Sequence, residues 1–212
     1  MNKIYRVADY IADFLVEKNI KHSFLLPGGG NMHLVDGVGK NKKIEVVPCL
    51  HEQGVSIAAE SYSRITENIG VGIITTGPGS TNAITGVAGS WIDSIPLLII
   101  SGQVKTNDIM KNNLIRQKGV QEVDIVNMIK KVTKFSLTIK RKEDVKIVLE
   151  KALYLAKNGR PGPVWIDIPL DIQGAPIDSS KLKGWKIKNI YKNKKINKAT
   201  IIKIIQLITK SK

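Results

Sequence analysis

The stretch GVGIITTGPGSTN, residues 70–82, decides the fold that this sequence predicts. Its first part, through Ile74, is a short apolar run that is typical of a buried strand. Glycines then permit a close turn, and Ser80, Thr81 and Asn82 are residue types that cap helices. The stretch therefore predicts a strand that ends in a glycine-rich loop and leads directly into a helix.

The same alternation of strand and helix recurs about six times along the chain. Further apolar runs occur in HSFLLPGGGN, IEVVPCL, PLLIISGQV, VTKFSLTI and GRPGPVWIDIP, at residues 22–31, 44–50, 96–104, 132–139 and 159–169. Helical periodicity lies between the runs, most clearly in EDVKIVLEKALYLAKNG. Continuous apolar strands are typical of parallel sheets that are covered on both faces. We therefore predict an α/β fold, an open parallel sheet with helices on both faces.

Three segments with glycines or polar residues directly follow predicted strands. They are the loop Pro27–Gly30, the junction at Glu52 and the loop Gly77–Asn82. Parallel strands bring their carboxyl ends to one edge of a sheet, and open α/β sheets bind ligands at that edge. The sequence thus predicts that the three segments gather where a ligand would bind.

Each of these segments has a simpler explanation when it is taken alone. Glu52 lies near the start of a predicted helix, where the helix dipole favours a negative charge. The glycine loops are explained by turns and a helix cap, because neither a GxxxxGK[ST] nor a GxGxxG motif occurs after a strand. A role for Glu52 in a site is therefore predicted only because the two glycine loops are expected to lie beside it.

The remaining reactive side chains predict no further site. His33 and His51 have no cysteine or second histidine at ligand spacing, so no metal site is predicted within this chain. Cys49 is the single cysteine and cannot form an intrachain disulfide, which agrees with a reducing compartment. We interpret it as a small buried hydrophobe rather than a nucleophile.

Length and composition indicate an ordinary globular protein. The chain has 212 residues, of which 42% are hydrophobic and 24% are charged. No run approaches the roughly 20 apolar residues that span a bilayer, and charged residues interrupt the amino-terminal segment where a signal peptide would need an apolar core. We therefore expect a cytoplasmic protein that does not associate with membranes.

The net charge of +15 is concentrated at the carboxyl end. All 18 acidic residues lie at or before Asp178, whereas 11 of the 33 basic residues lie in 181–212. Those 11 are all lysines, and only Trp185 and Tyr191 could stack on bases there. This pattern favours a solvated, lysine-biased linker over nucleic-acid binding.

The same change in composition suggests the domain organisation. We predict a first domain at 1–178, a basic linker at 179–197 and the start of a truncated central domain at 198–212. The last segment carries isoleucines at helical spacing, Ile201, Ile204, Ile205 and Ile208. An apolar helical stripe needs a surface to pack against, so we expect this helix to belong to a further domain.

Six short motifs occur in a fixed order along the first domain. They are PGGGNM at 27–32, HEQG at 51–54, GPGSTN at 77–82, SGQV at 101–104, VQEVDIV at 120–126 and GRPGPVWIDIP at 159–169. This ordered set resembles the amino-terminal, pyrimidine-binding domain of thiamine-diphosphate enzymes of the acetolactate synthase type. The resemblance covers residues 4 to about 178 and implies that family's pyrimidine-domain fold.

The resemblance implies a mechanism for Glu52. In that family the glutamate of the HEQG segment hydrogen-bonds a ring nitrogen of the cofactor's aminopyrimidine and favours its imino tautomer. The imino group then takes the proton from the thiazolium carbon, which attacks a 2-keto acid. A carboxyl group suits this task when it is held in a dry pocket, where its hydrogen bond to the base is strengthened.

The resemblance also assigns roles to residues of the other motifs. Gln121 is expected on a loop that faces the reacting centre, as a second catalytic residue. The cofactor ring is expected to contact Glu52 together with Pro27, Gly28, Thr75, Pro78 and Asn82.

Two positions differ from the pattern of biosynthetic acetolactate synthases. Leu26 stands where a tyrosine usually precedes PGG, and Val120 stands where a phenylalanine usually precedes the Gln-Glu pair. Both positions lie near the substrate region. The resemblance therefore implies a carboligase acting on pyruvate, and it leaves open a related carboligase in sugar biosynthesis with a different acceptor.

The other half of the cofactor site is absent from the sequence. The family holds Mg²⁺ against the cofactor's diphosphate with a GDG segment and a downstream asparagine, and no GDG occurs here. We expect thiamine diphosphate as the cofactor, Mg²⁺ ligands outside this chain, and FAD as a further cofactor that the resemblance allows. The expected partner is a diphosphate-binding domain of the same or another subunit, in a homo-oligomer of at least two chains. A truncated, inactive interaction domain is the alternative.

Overall fold

A computed structural model describes residues 5–110, 115–186 and 197–211. Six strands form one sheet in which every described pairing is parallel. The order across the sheet is β2-β1-β3-β4-β6-β5. The strands are β1 His22–Leu25, β2 Glu45–Pro48, β3 Gly70–Ile74, β4 Leu97–Gln103, β5 Phe135–Thr138 and β6 Pro163–Pro169. The prediction of an open parallel α/β sheet is confirmed.

The helices of the described residues alternate with these strands. They are α1 Val7–Glu17, α2 Met32–Lys40, α3 Glu52–Thr66, α4 Pro78–Asn82, α5 Ile84–Asp93, α6 Ile125–Ile129, α7 Val145–Lys157, α8 Leu170–Gly174 and α9 Lys198–Lys210. Short 3₁₀ turns occur at Gly29–Asn31, Thr106–Asp108, Lys142–Asp144 and Ser179–Lys181. Among the described residues of 108–130, the short α6 is the only α-helix.

The central strands are buried on both faces, as their continuous apolar sequences predict. Strand β4 shows the period of two: Leu98 and Ile100 join one core with α1 and α7, whereas Leu97 and Ile99 join a second core with α3 and α5. Trp165 on β6 belongs to this second core, and its indole is fully buried. Helices therefore cover both faces of the sheet, which leaves its edges for ligand contacts.

The carboxyl-terminal part stays in contact with this domain beyond Asp178. Leu182 is buried against the first core. The Trp185 ring lies 5.0 Å from the ring of Tyr154, and the Trp185 amide donates to Glu150 Oε2 at 2.5 Å. Most of the predicted linker, 187–196, lies outside the described residues, so the domain bounds stay a prediction.

Candidate functional site

The three predicted segments lie at one edge of the sheet. They leave the carboxyl ends of β2, β1 and β3, which are neighbours in the sheet. The register continues past the strands, since the Cys49 amide donates to the Leu25 carbonyl at 2.9 Å and the Leu26 amide donates to the Ile73 carbonyl at 3.3 Å. Parallel pairing thus brings together segments that are about 50 residues apart in sequence.

Glu52 is the first residue of α3, but its carboxylate does not cap that helix. His51 provides the cap, because its Nδ1 accepts from the Gln53 amide at 3.1 Å. Glu52 is only 8% exposed, and its Oε2 accepts from Asn82 Nδ2 at 3.0 Å. Among the described residues, no group hydrogen-bonds Oε1. One carboxylate oxygen is therefore held by a neighbour, while the other is available to a ligand.

Thr75 connects the two glycine loops beside this carboxylate. Its Oγ1 accepts from the Gly30 amide at 3.1 Å, and its carbonyl accepts from Ser80 Oγ at 2.7 Å. A Cβ on Gly28 would lie 2.6 Å from Thr75 Oγ1, and a Cβ on Gly79 would lie 2.8 Å from Glu52 Oε1. Because Gly28 and Gly79 have no Cβ, their backbone segments approach Thr75 and Glu52 more closely than residues with a side chain could.

Gln121 reaches the same edge from a separate loop. Gly77 has a φ of 62°, and a Cβ there would lie 2.0 Å from the Gln121 carbonyl oxygen. Only glycine combines that dihedral angle with so close a contact. Gln121 also has a positive φ, 59°, and its side chain is exposed. The loop that carries Gln121 therefore rests directly on the turn after β3.

The predicted site residues fall into two groups by their contacts. Gly28 lies against Thr75, Asn82 hydrogen-bonds Glu52, and Gly79 lies against both Thr75 and Glu52. Gln121 approaches this cluster at Gly77. The two predicted prolines, Pro27 and Pro78, adjoin this cluster in sequence and are exposed, as are Asn82 and Gln121. A buried carboxylate thus lies below an exposed rim at the same edge of the sheet.

Sequence reasoning did not predict how the Gln121 loop is held. The Glu122 carboxylate accepts from the backbone amides of Met110, Lys118 and Gly119 at 2.6, 2.8 and 3.1 Å. Partial burial raises its pKa, but these backbone hydrogen bonds outweigh that effect, and the pKa of Glu122 lies below its usual value. Glu122 therefore orders the loop as a carboxylate. A glutamate in a polar loop gives no sequence signal of such a role.

A buried polar network lies beside this loop and was also not predicted. Asp167 on β6 is 1% exposed and accepts from Ser101 Oγ at 2.6 Å, Gln103 Nε2 at 3.1 Å and Thr138 Oγ1 at 3.0 Å. Complete burial raises the pKa of Asp167 to about 6, although these hydrogen bonds lower it. The signal was present in WIDIP, where an acid interrupts a strand that is otherwise apolar.

We expect Asp167 to make stability depend on pH in an unusual direction. The folded state keeps this proton up to about pH 6, whereas the unfolded chain releases it near pH 4, so raising the pH through this window favours unfolding. The unfolding free energy of the wild type, minus that of Asp167→Asn, should fall by about 2 kcal/mol between pH 4 and pH 7. Urea titrations at several pH values measure this difference. A difference that stays constant, or that rises with pH, would contradict the assignment.

The arrangement fits an aminopyrimidine ring better than a metal ion. Within 5–110, 115–186 and 197–211, no three His, Cys, Asp or Glu side chains could hold a metal together. In contrast, a ring nitrogen could hydrogen-bond the available oxygen of Glu52, and Gly79 lies beside this oxygen without a side chain. The same described residues include no helix that is long and apolar enough to cross a membrane.

Comparison with known families identifies the domain. The model of the family described as thiamine pyrophosphate enzyme, N-terminal TPP binding domain, matches residues 5–128. The chain belongs to this family. Thiamine pyrophosphate is another name for thiamine diphosphate, so the family match confirms the predicted resemblance and supports the predicted cofactor.

Curated relatives of this thiamine-diphosphate domain are acetolactate synthases. The chain is 41% identical over 165 residues to the large subunit of Buchnera aphidicola subsp. Schizaphis graminum, and 41% identical over 165 residues to isozyme 3 of Escherichia coli. Identity to the chloroplastic enzyme of Arabidopsis thaliana is 37% over 166 residues. These alignments cover 78% of this chain but only 24% to 28% of the relatives. The chain therefore spans about a quarter of their length.

Proposed function

We propose that this chain is the pyrimidine-binding part of a thiamine-diphosphate-dependent carboligase that acts on pyruvate. The observation that carries the proposal is the Glu52 carboxylate, which is buried at the carboxyl edge of the sheet with Oε2 held by Asn82 and Oε1 available. The identity to acetolactate synthases supports the reaction class. Bound here, thiamine diphosphate would supply the carbon nucleophile that adds to the 2-keto group.

Each residue of the site has a distinct task in this proposal. Glu52 holds a proton between its Oε1 and a ring nitrogen of the aminopyrimidine, and Asn82 keeps the carboxylate turned toward that ring. Thr75, Gly28 and Gly79 form the walls that orient the ring. Pro27 and Pro78 border it, and Gln121 lies at the rim, where the substrate would approach.

The identity of the acceptor remains a separate proposal. Pyruvate as both donor and acceptor would give acetolactate, the reaction for which the curated relatives are named. Val120 is 81% exposed next to Gln121, at the position where the family usually has phenylalanine. A smaller residue at the rim leaves room for a larger acceptor, which favours the keto-sugar carboligase as the second candidate.

The proposed site is completed by a partner. We propose that a diphosphate-binding region, in the same polypeptide or another subunit, covers the open rim and brings Mg²⁺ with the diphosphate. The assembled enzyme then contains at least two pyrimidine-binding chains. The alternative is an inactive interaction domain, in which this chain associates with partners but activates no cofactor.

Product analysis with the assembled enzyme tests this proposal. We expect pyruvate consumption that requires both thiamine diphosphate and Mg²⁺, with acetolactate as the product when pyruvate is the sole substrate. Product from pyruvate only in the presence of a keto sugar would favour the second candidate. An assembled enzyme that binds the cofactor but consumes no 2-keto acid with any acceptor would contradict the proposal.

A further inference from the structure

Gln103, the last residue of β4, uses both ends of its side-chain amide. Its Oε1 accepts from Thr76 Oγ1 at 2.9 Å and from the Val104 amide at 2.9 Å. Its Nε2 donates to Asp167 Oδ2 at 3.1 Å and to the Val123 carbonyl at 3.2 Å. Gln103 is 5% exposed, so these four bonds replace the water that its amide would otherwise bind.

The neighbours of this amide allow only one orientation. The indole of Trp165 can only donate, and it donates to Ser101 Oγ at 2.7 Å, so Ser101 has its own hydrogen left for Asp167 Oδ1. The Val104 amide can also only donate, so it requires the oxygen of Gln103. Asp167 on the other side accepts, which requires the nitrogen. The direction of every bond in the network is thereby fixed.

Gln103 connects the two sides of the proposed cofactor pocket. Thr76 lies between Thr75, which contacts the glycine loops, and Gly77, which contacts the Gln121 carbonyl. Val123 belongs to the loop of Gln121. One buried side chain therefore spans the distance from the turn after β3 to this loop, and Asp167 accepts a second hydrogen bond from the nitrogen that reaches Val123.

We propose that Asp167 and Gln103 are positioning residues for Gln121. Asp167 holds the Gln103 amide with its nitrogen toward Val123, and Gln103 then holds residues 119–124 against Gly77. Gln121 thereby stays at the rim of the pocket. The consequence for catalysis rests on the proposed function, whereas the ordering of the loop does not.

Exchanging the donor and the acceptor between residues 103 and 167 distinguishes a role in positioning the loop from a role in the stability of the fold alone. In the double variant Asp167→Asn with Gln103→Glu, the new amide donates to the new carboxylate, so the bond within the network and its charge are kept. The carboxylate also accepts from Thr76 and Val104. It has no hydrogen for the Val123 carbonyl, so the connection to the loop is lost. The Thr138 hydroxyl, which donates to Asp167 Oδ2 in the wild type, must then accept from the new amide. The single variant Asp167→Ala removes both carboxylate oxygens, and with them the second acceptor of the Gln103 nitrogen.

Amide hydrogen exchange of the whole chain, followed by NMR, measures the loop and the sheet separately. In both variants we expect exchange at Glu122 and Ile125 to be at least about tenfold faster than in the wild type. Amides of β4 and β6 should keep wild-type rates in the double variant. Thr138→Val is the matched control, because it removes a donor to Asp167 without changing Gln103, and its loop should exchange as the wild type does.

Two outcomes would overturn the proposal. Wild-type loop exchange in the double variant would show that Gln103 does not hold the loop. Wild-type loop exchange in Asp167→Ala would show that Asp167 does not act through Gln103. If the double variant fails to fold, the single variant still decides the role of Asp167.

Steady-state kinetics of the assembled enzyme provide the catalytic test. We expect the double variant to lower kcat/KM for the 2-keto acid at least about tenfold, while exchange of the cofactor's thiazolium hydrogen stays near the wild-type rate because Glu52 is untouched. Unchanged kcat/KM with a loosened loop would overturn the catalytic part of this inference. Failure of the proposed function would be recognised differently, by thiazolium exchange that does not depend on Glu52.

Discussion

Replacing Glu52 by glutamine is expected to reduce turnover of the assembled enzyme by about 10²- to 10⁴-fold, the usual range for a lost acid–base group. The amide keeps the size of the side chain and can keep the contact with Asn82, but it cannot hold the proton that Oε1 would share with the cofactor ring. The measurement is kcat at saturating thiamine diphosphate, Mg²⁺ and pyruvate.

Glu60 offers a matched control on the same helix. It is also 8% exposed, and it pairs with Arg64, away from the glycine loops. Glu60→Gln should therefore give turnover near that of the wild type. Equal losses in the two variants would mean that turnover responds to any change in α3, and the role of Glu52 would be refuted.

Replacing Gly79 by alanine is expected to damage both the fold and the site. The new Cβ would lie 2.5 Å from Thr75 Cγ2 and 2.8 Å from Glu52 Oε1, so both side chains must move. Overpacking of this kind costs about 1 to 3 kcal/mol of unfolding free energy. Displacement of the carboxylate should also lower turnover by at least about tenfold, since small errors of position are costly in catalysis. Urea unfolding and steady-state kinetics measure the two effects.

Gly89 provides the comparison for this substitution. It lies on α5, and nothing lies within 4 Å of the position that its Cβ would occupy. Gly89→Ala should raise stability by about 0.5 to 1 kcal/mol, because alanine favours a helix interior, and should leave turnover unchanged. If Gly79→Ala has the same effects as Gly89→Ala, the close approach of Gly79 to Glu52 is not required for stability or turnover.

The sheet could be predicted because its strands are short, continuous apolar runs. Runs such as PLLIISGQV are buried on both faces of a parallel sheet, and they alternate with periodic helices. The strand order could not be read from the sequence, since a parallel sheet permits several orders of the same elements. The order β2-β1-β3-β4-β6-β5 depends on packing between distant segments, such as Trp165 against α3 and α5.

The candidate site was predictable where backbone geometry requires particular residues. Glycines at 28, 77 and 79 mark close approaches, and Glu52 stands out between a strand and a helix. The residues that hold the site together gave weaker signals. Gln103 and Glu122 are ordinary polar residues in sequence, and their importance arises from hydrogen bonds to backbone groups that only the folded chain brings near.

Deuterium exchange at the thiazolium carbon of bound thiamine diphosphate tests the role of Glu52 most directly. It reports removal of that proton alone, free of substrate binding and product release. With the cofactor bound equally in all samples, we expect Glu52→Gln to slow exchange by about 10²- to 10⁴-fold and Glu60→Gln to change it by no more than a few-fold. Exchange at the wild-type rate in Glu52→Gln would contradict the central claim, that the buried carboxylate at the start of α3 activates the cofactor.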